Sequence, residues 1–302
     1  MACTSPPPSL RFGANVWPGV EPIYLARSLG YYQGQSIELI DFPSSTEVTR
    51  AYRAGLIDVA SLTADEALTV ADTLPDQRIV LVLDYSLGAD AVVAKPRFAS
   101  MEDLRGRRIA FEHDGAGAYV LARALEVSGM APRDVTLVPM RLQDHQIAYD
   151  RDEVDAVVTF EPRLSDLVRR GARPVFTSKQ IPGEILDVLL TRAQFIEQNS
   201  PQIRALIGGW FRALDYLRQQ PSDAARRIAG REGVAPEAYL ASLRGIELVG
   251  RPASERALGR SPDNLEAVLR RTHEVMRANR LLLHMPELSS ILDDRFVRTE
   301  AP

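Results

Sequence analysis

The chain is poor in the residues that build most covalent and metal-centred sites. One cysteine, Cys3, serves 302 residues, which excludes a disulfide framework and a cysteine-based metal centre. Only four histidines occur. His113 and His145 fall in different loop or helix contexts and His273 and His284 in the C-terminal part, so they make no metal set. Neither HExxH nor a nucleophile elbow is present, and the one glycine-rich turn lacks the lysine of a phosphate loop. No metal and no cofactor is expected.

Long apolar runs are missing too. "RIVLVLDYSLGADAVVAK" comes nearest and is broken by Asp84, Gly88 and Asp90, short of the ~20 residues that cross a bilayer. Positive charge is not in excess: 36 Lys and Arg stand against 40 Asp and Glu, a net charge of −4. The basic groups are scattered, and "RGRR" (105–108) reads as a solvated turn. Nucleic acid is therefore not expected as a partner. The first nine residues, "MACTSPPPS", form a Ser/Pro-rich tether that cannot pack a core. Two readings of Cys3 stay open: a disordered leftover, or the lipidated first residue of a bacterial lipoprotein, because Ala2-Cys3 resembles the end of a lipobox.

What is present is an alternation of short β-rich runs and helical segments from Leu10 onward, the signature of α/β construction. Strands are predicted at "LRFGANV", "SIELIDF", "DVASLT", "RIVLVLDYS", "DAVVAK", "RRIAF", "VTLVPM", "DAVVTF", "RPVFTS" and "EILDVLLTR". Helices are predicted near 21–31, 45–54, 64–73, 117–129, 142–150 and 162–170. Pro22 suits a first helical turn, and "TADE" (63–66) has capping-box spacing. After Arg192 the pattern turns helical, with Ile203, Leu206, Ile207, Trp210 and Leu214 on one face and no strand left to build a new sheet. "GLIDVASLTADEAL" and "DEVDAVVTFEPRLSDL" echo one another in order. The echo points to two similar lobes, with "LVLDYSLGADAVV" and "EILDVLLTR" as crossings between them.

Four fragments, "WPGVEPIYLARSLGYY", "AYRAGLIDVASLTADEAL", "LRGRRIAFEHDGAGAYVLARALE" and "DEVDAVVTFEPRLSDL", stand in series from Leu10 to about Leu282. In that order they resemble the periplasmic solute-binding proteins of bacterial ABC importers, in the branch for nitrate, taurine, alkanesulfonate and thiamine-precursor pyrimidines. The resemblance implies a two-lobed periplasmic-binding-protein-like α/β fold with two crossing hinge strands and a C-terminal helical cap. On this reading residues 1–9 are tether, 10–87 and 188–302 are lobe I, and 88–187 are lobe II. It further implies a monomer outside the cytoplasm, periplasmic or at the cell surface, that hands a small molecule to an ABC permease and touches the membrane only through a lipid on Cys3.

Ligands of such sheets lie beyond the carboxyl ends of strands, which here are the loops 15–21, 61–66, 112–118 and 159–162. Trp17, between strand and helix beside Pro18 and Gly19, offers a flat apolar face, or else packs on the helix that follows. In "EHDGAGAYVL", Gly115, Ala116 and Gly117 present backbone amides at a helix start, and His113 adjoins them. Asp114 there either caps the helix or repels an anion. Thr63 reads as a cap or a wall, and Asp65 as the better pocket candidate. The resemblance places Phe160 and Glu161 at the ligand. Asp84 and Asp187 interrupt apolar strands, a costly arrangement unless each is paired. Asp90 reads as solvent-facing. With Tyr85 and Glu21 added, the candidate lining is aromatic and acidic, and no lysine or arginine falls within it apart from Arg163 beyond Pro162.

That lining favours an amine- or pyrimidine-like nitrogen compound over an anion, which wants arginine, lysine or several free amides. A sensing module for a membrane receptor is one alternative. An enzyme of the same fold in thiamine or menaquinone synthesis is another, weakened by the missing cysteine motif. The chain reads as a binding protein and not an enzyme.

Overall fold

Strand and helix alternate as the pattern predicts. The computed structural model describes residues 9–260, 264–282, 284, 286 and 288–298; Cys3 lies outside them. The chain runs β1 (Leu10–Asn15), α1 (Glu21–Ser28), β2 (Ile37–Phe42), α2 (Ser45–Arg53), β3 (Val59–Thr63), α3 (Ala64–Thr73) and β4 (Gln77–Ser86). It continues through β5 (Asp90–Ala94), β6 (Arg108–Phe111), α4 (Ala116–Val127), β7 (Thr136–Pro139), α5 (His145–Asp150), β8 (Ala156–Phe160), α6 (Arg163–Arg169) and β9 (Arg173–Thr177). After β10 (Leu186–Arg192) come α7 (Ala193–Gln219), α8 (Pro221–Glu232), α9 (Pro236–Ser242), β11 (Ile246–Leu248), α10 (Arg251–Leu258), α11 (Glu266–Ala278) and α12 (Leu288–Ile291).

Among the described residues the strands form two sheets, in the orders β11-β4-β10-β3-β1-β2 and β7-β6-β8-β5-β9. β1 pairs in parallel with β2 and β3, and β6 with β7 and β8. In each sheet the chain-crossing strands, β10 and β5, run antiparallel to their neighbours. The two sheets give the two-lobed α/β architecture expected from the sequence. β3 and β5 are buried along their whole length, as strands covered on both faces must be. β11 corrects the sequence reading: three residues after the helical switch add to the open edge of β4. They were too few to show periodicity.

The chain passes from the first sheet to the second between Ser86 and Asp90 and returns between Thr177 and Leu186. One hydroxyl ties the two passages. Ser178 Oγ accepts the Gly88 N–H at 2.6 Å and lies 2.8 Å from Ser86 Oγ. Gly88 sits at φ +123°, backbone that side chains rarely adopt.

Candidate ligand cleft

Local rules set the entry loops. Ser44 caps α2 by accepting the Glu47 N–H at 3.4 Å. α3 starts directly off β3, where Glu66 Oε2 accepts the Thr63 N–H at 3.0 Å, the return half of a capping box. Beyond β1 the chain turns through the Trp17 loop into α1, whose Pro22 sits in the first turn.

Trp17 is 6% exposed and serves two purposes. Its Nε1–H donates to Asp84 Oδ2 at 3.1 Å. Its ring meets Phe160 of the other sheet edge-on, with centroids 5.9 Å apart at 78°, an arrangement aromatic pairs favour. Gly19 makes this possible, because a Cβ there would collide with both the Asp84 carboxyl and the Trp17 indole nitrogen.

Around Trp17 a narrow crevice of about 30 Å³ lies between the sheets. Asn15, Trp17, Ser61 and Thr63 line it from the ends of β1 and β3, and Ser45 from the start of α2. Glu66, Asp187, Asp90, Ala116 and Phe160 complete the wall. Three of these are acids and none is basic. Asp187 stands opposite Asp84 in the β10–β4 register. Asp84 is fully buried, and its Oδ1 has no hydrogen-bond partner.

Burial is the main cause of a common electrostatic effect. It pushes Asp84 up to about 7, with the Asp90 charge adding to it, and Asp90 up to about 7. Glu66 rises to about 7 through burial and then the neighbouring Asp65 charge. Asp187 is raised well above the carboxylate range by burial and then by Asp84. A buried carboxylate without a cation favours its neutral form. This pocket gathers several, and the described residues supply no counter-ion within it.

Glu66 also joins the lobes. Its Oε1 accepts the Ala116 N–H at 3.1 Å, so the first amide of α4 is already satisfied by a carboxylate from α3. That amide is no longer free for an anion.

The remaining predicted residues lie elsewhere. Glu21 is fully buried on α1, ion-paired with Arg231, which also holds Asp41 at 2.8 Å and stacks 3.6 Å from the Tyr24 ring centre. Tyr85 follows Asp84 directly and so points to the opposite face of β4, where it pairs with Glu247 of β11. Glu161 accepts from Ser165 N at 3.1 Å and Ser165 Oγ at 2.8 Å, closing the start of α6. Gly117 rests on the Glu112 backbone. Asp65, His113 and Gly115 face a second, outer chamber on the far side of Glu66. Asp90 is 6% exposed and lines the pocket, against the solvent-facing expectation.

Sequence reasoning missed Asn15, Ser45, Ser61, Glu66 and Asp90. A signal existed for two of them: Asn15 stands two residues before Trp17, and Ser61 two before Thr63 on one strand face.

A family model described as "NMT1/THI5 like" matches residues 17–224. The taurine-binding periplasmic protein of Escherichia coli (strain K12) is 27% identical over 193 residues, 61% of this chain and 59% of that protein. This chain thus spans less than two-thirds of that relative. A putative aliphatic sulfonates-binding protein of the same organism is 23% identical over 258 residues, 80% of this chain and 77% of its own length. Among solved structures, the alkanesulfonate-binding protein SsuA from Xanthomonas axonopodis pv. citri bound to MOPS superposes with a TM-score of 0.80 at 21% identity, covering 95% of this chain and 99% of that one. The desulfurization enzyme DSZB shares the architecture as well, with a TM-score of 0.71 at 17% identity over 96% of this chain and 97% of its own. The family match begins at Trp17 itself, crosses the whole second sheet and ends in α8, and the chain belongs to the NMT1/THI5-like family.

Proposed function

We propose that this protein is the extracytoplasmic solute-binding component of an ABC importer, and that it captures a small organic cation, an amine or a pyrimidine-like nitrogen base. Its relatives named as periplasmic binding proteins support the carrier role. One observation carries the ligand class: Glu66, Asp90 and Asp187 line a crevice that holds no lysine or arginine, with Asp84 buried beneath it. A cation lowers the cost of ionising all four, whereas an anion adds to it. Trp17 and Phe160 supply faces for a ring or an alkylammonium group.

A second reading, a sulfonate ligand, has the names of the relatives in its favour. Against it stands the Ala116 amide, already bonded to Glu66. A thermal-shift and calorimetric panel of aryl and alkyl amines, aminopyrimidines and simple sulfonates decides between them. Amines are expected to stabilise the protein, by about 2.7 kcal/mol at a hundredfold excess over Kd. Asp90→Asn is expected to weaken them about tenfold. Stabilisation by simple sulfonates alone would replace the cation reading.

A further inference from the structure

A separate cavity of about 220 Å³ lies wholly on the lobe of the second sheet, and none of its lining residues borders the crevice around Trp17. Gln143 lines it from the turn before α5, Gln146 from α5, Thr159 from the end of β8 and Arg163 from the start of α6. Thr159 directly precedes Phe160, so strand alternation turns its side chain away from the ring that meets Trp17.

No acid belongs to this lining. Arg163 gives one N–H to the Leu142 carbonyl at 3.2 Å and makes no ion pair among the described residues. Carboxylates close by in the sequence are engaged elsewhere: Asp144 by Arg141 and Asp166 by Arg169, each at 2.9 Å, and Glu161 by Ser165. Glu112, whose charge is felt at Arg163, lines a different groove. Thr159 is 3% exposed, and its hydroxyl has no hydrogen-bond partner among the described residues. The buried His145 also lines the cavity, but both its ring nitrogens face carbonyl oxygens, of Val158 at 3.1 Å and Met140 at 3.3 Å. It shapes the wall and leaves binding to its neighbours.

We propose that this cavity binds a small oxyanion, a carboxylate, sulfate or phosphate, at a site distinct from the solute cleft and independent of what the cleft carries. Arg163 supplies the charge and a planar fork of N–H groups suited to paired oxygens. The Thr159 hydroxyl, already buried, gains a hydrogen bond at little further desolvation cost. The amides of Gln143 and Gln146 close the mouth. An anion held this way joins the turn at 142–144, α5 and α6 to the strand end that carries Phe160.

Calorimetry with sodium sulfate, sodium phosphate and sodium acetate, against sodium chloride at matched ionic strength, tests this. One or more of the three oxyanions is expected to bind the full chain saturably, one per molecule. Arg163→Gln should weaken that binding about tenfold. Thr159→Val, close in shape and free of the hydroxyl, should weaken it several-fold with the ligand-free melt unchanged. Trp17→Phe should leave it as it is. A preference for sulfate and phosphate, or for acetate, supports the site and says whether it is built for a tetrahedral or a planar group. No saturable binding of any of the three, or an affinity that neither Arg163→Gln nor Thr159→Val lowers, overturns it. So does a loss confined to Trp17→Phe, which would move the anion into the cleft.

Discussion

Two groups of carboxylates in this protein have opposite fates. Glu21 and Asp41 are gathered by Arg231, which also hydrogen-bonds the Asn15 carbonyl at 3.3 Å and stacks on Tyr24. Asp84, Asp90, Asp187 and Glu66 sit a short way along the same strand ends with no such residue among them. Burial pushes Glu21 up to about 7, as it does Asp84, Asp90 and Glu66. The difference lies in where a compensating cation comes from: within the chain in one case and, on the function proposed above, from the ligand in the other. On the proposed function, the cluster left without a cation is the one that meets the ligand.

The largest expected effect breaks the completed cluster. Arg231→Met leaves Glu21 buried without its partner, and such losses cost about 3–5 kcal/mol. Denaturant melts should show it, and adding Glu21→Gln should restore much of the loss. An unchanged melt would mean that the pair does not hold α8 to α1.

pH sharpens the comparison next. The folded-state values of Asp84, Asp90 and Glu66 lie near 7, above those of the unfolded chain. Their contribution to stability is therefore full below about pH 4 and is lost as pH rises through 7. Asp155 and Asp223 are lowered, so they act in the opposite sense and only at more acidic pH. Ligand-free protein should lose several kcal/mol of stability between pH 5 and 8, at about 1.4 kcal/mol per pH unit for each such group. Affinity for an amine that stays charged should rise over the same window, with proton release on binding visible as a buffer-dependent calorimetric heat. Stability that climbs from pH 5 to 8 would contradict the uncompensated cluster.

The smallest effect is local. Trp17→Phe keeps a ring facing Phe160 but removes the donor to Asp84, at a cost of about 1 kcal/mol. Amine affinity should fall while secondary structure, followed by circular dichroism, stays the same.

Much of the fold was legible because strand and helix periods alternate sharply, and because starts such as Pro22 and Thr63-to-Glu66 carry their own chemistry. β11 was not, since three residues carry no period. The site was legible in part. Trp17, Thr63, Ala116, Phe160 and Asp187 do meet at one crevice. Tyr85 could have been set aside from Asp84 by strand alternation alone. Glu21 could not, because its partner Arg231 lies 210 positions away. Asp90 was misread because β5 is buried on both faces and offers no alternation to orient it.

The Ser178 hydroxyl, bonded to both passages between the sheets, has a further implication. Two connectors fastened to one another through a single side chain do not shift independently, so the spacing of the sheets is set at one shared point, beside the Asp90 that opens β5.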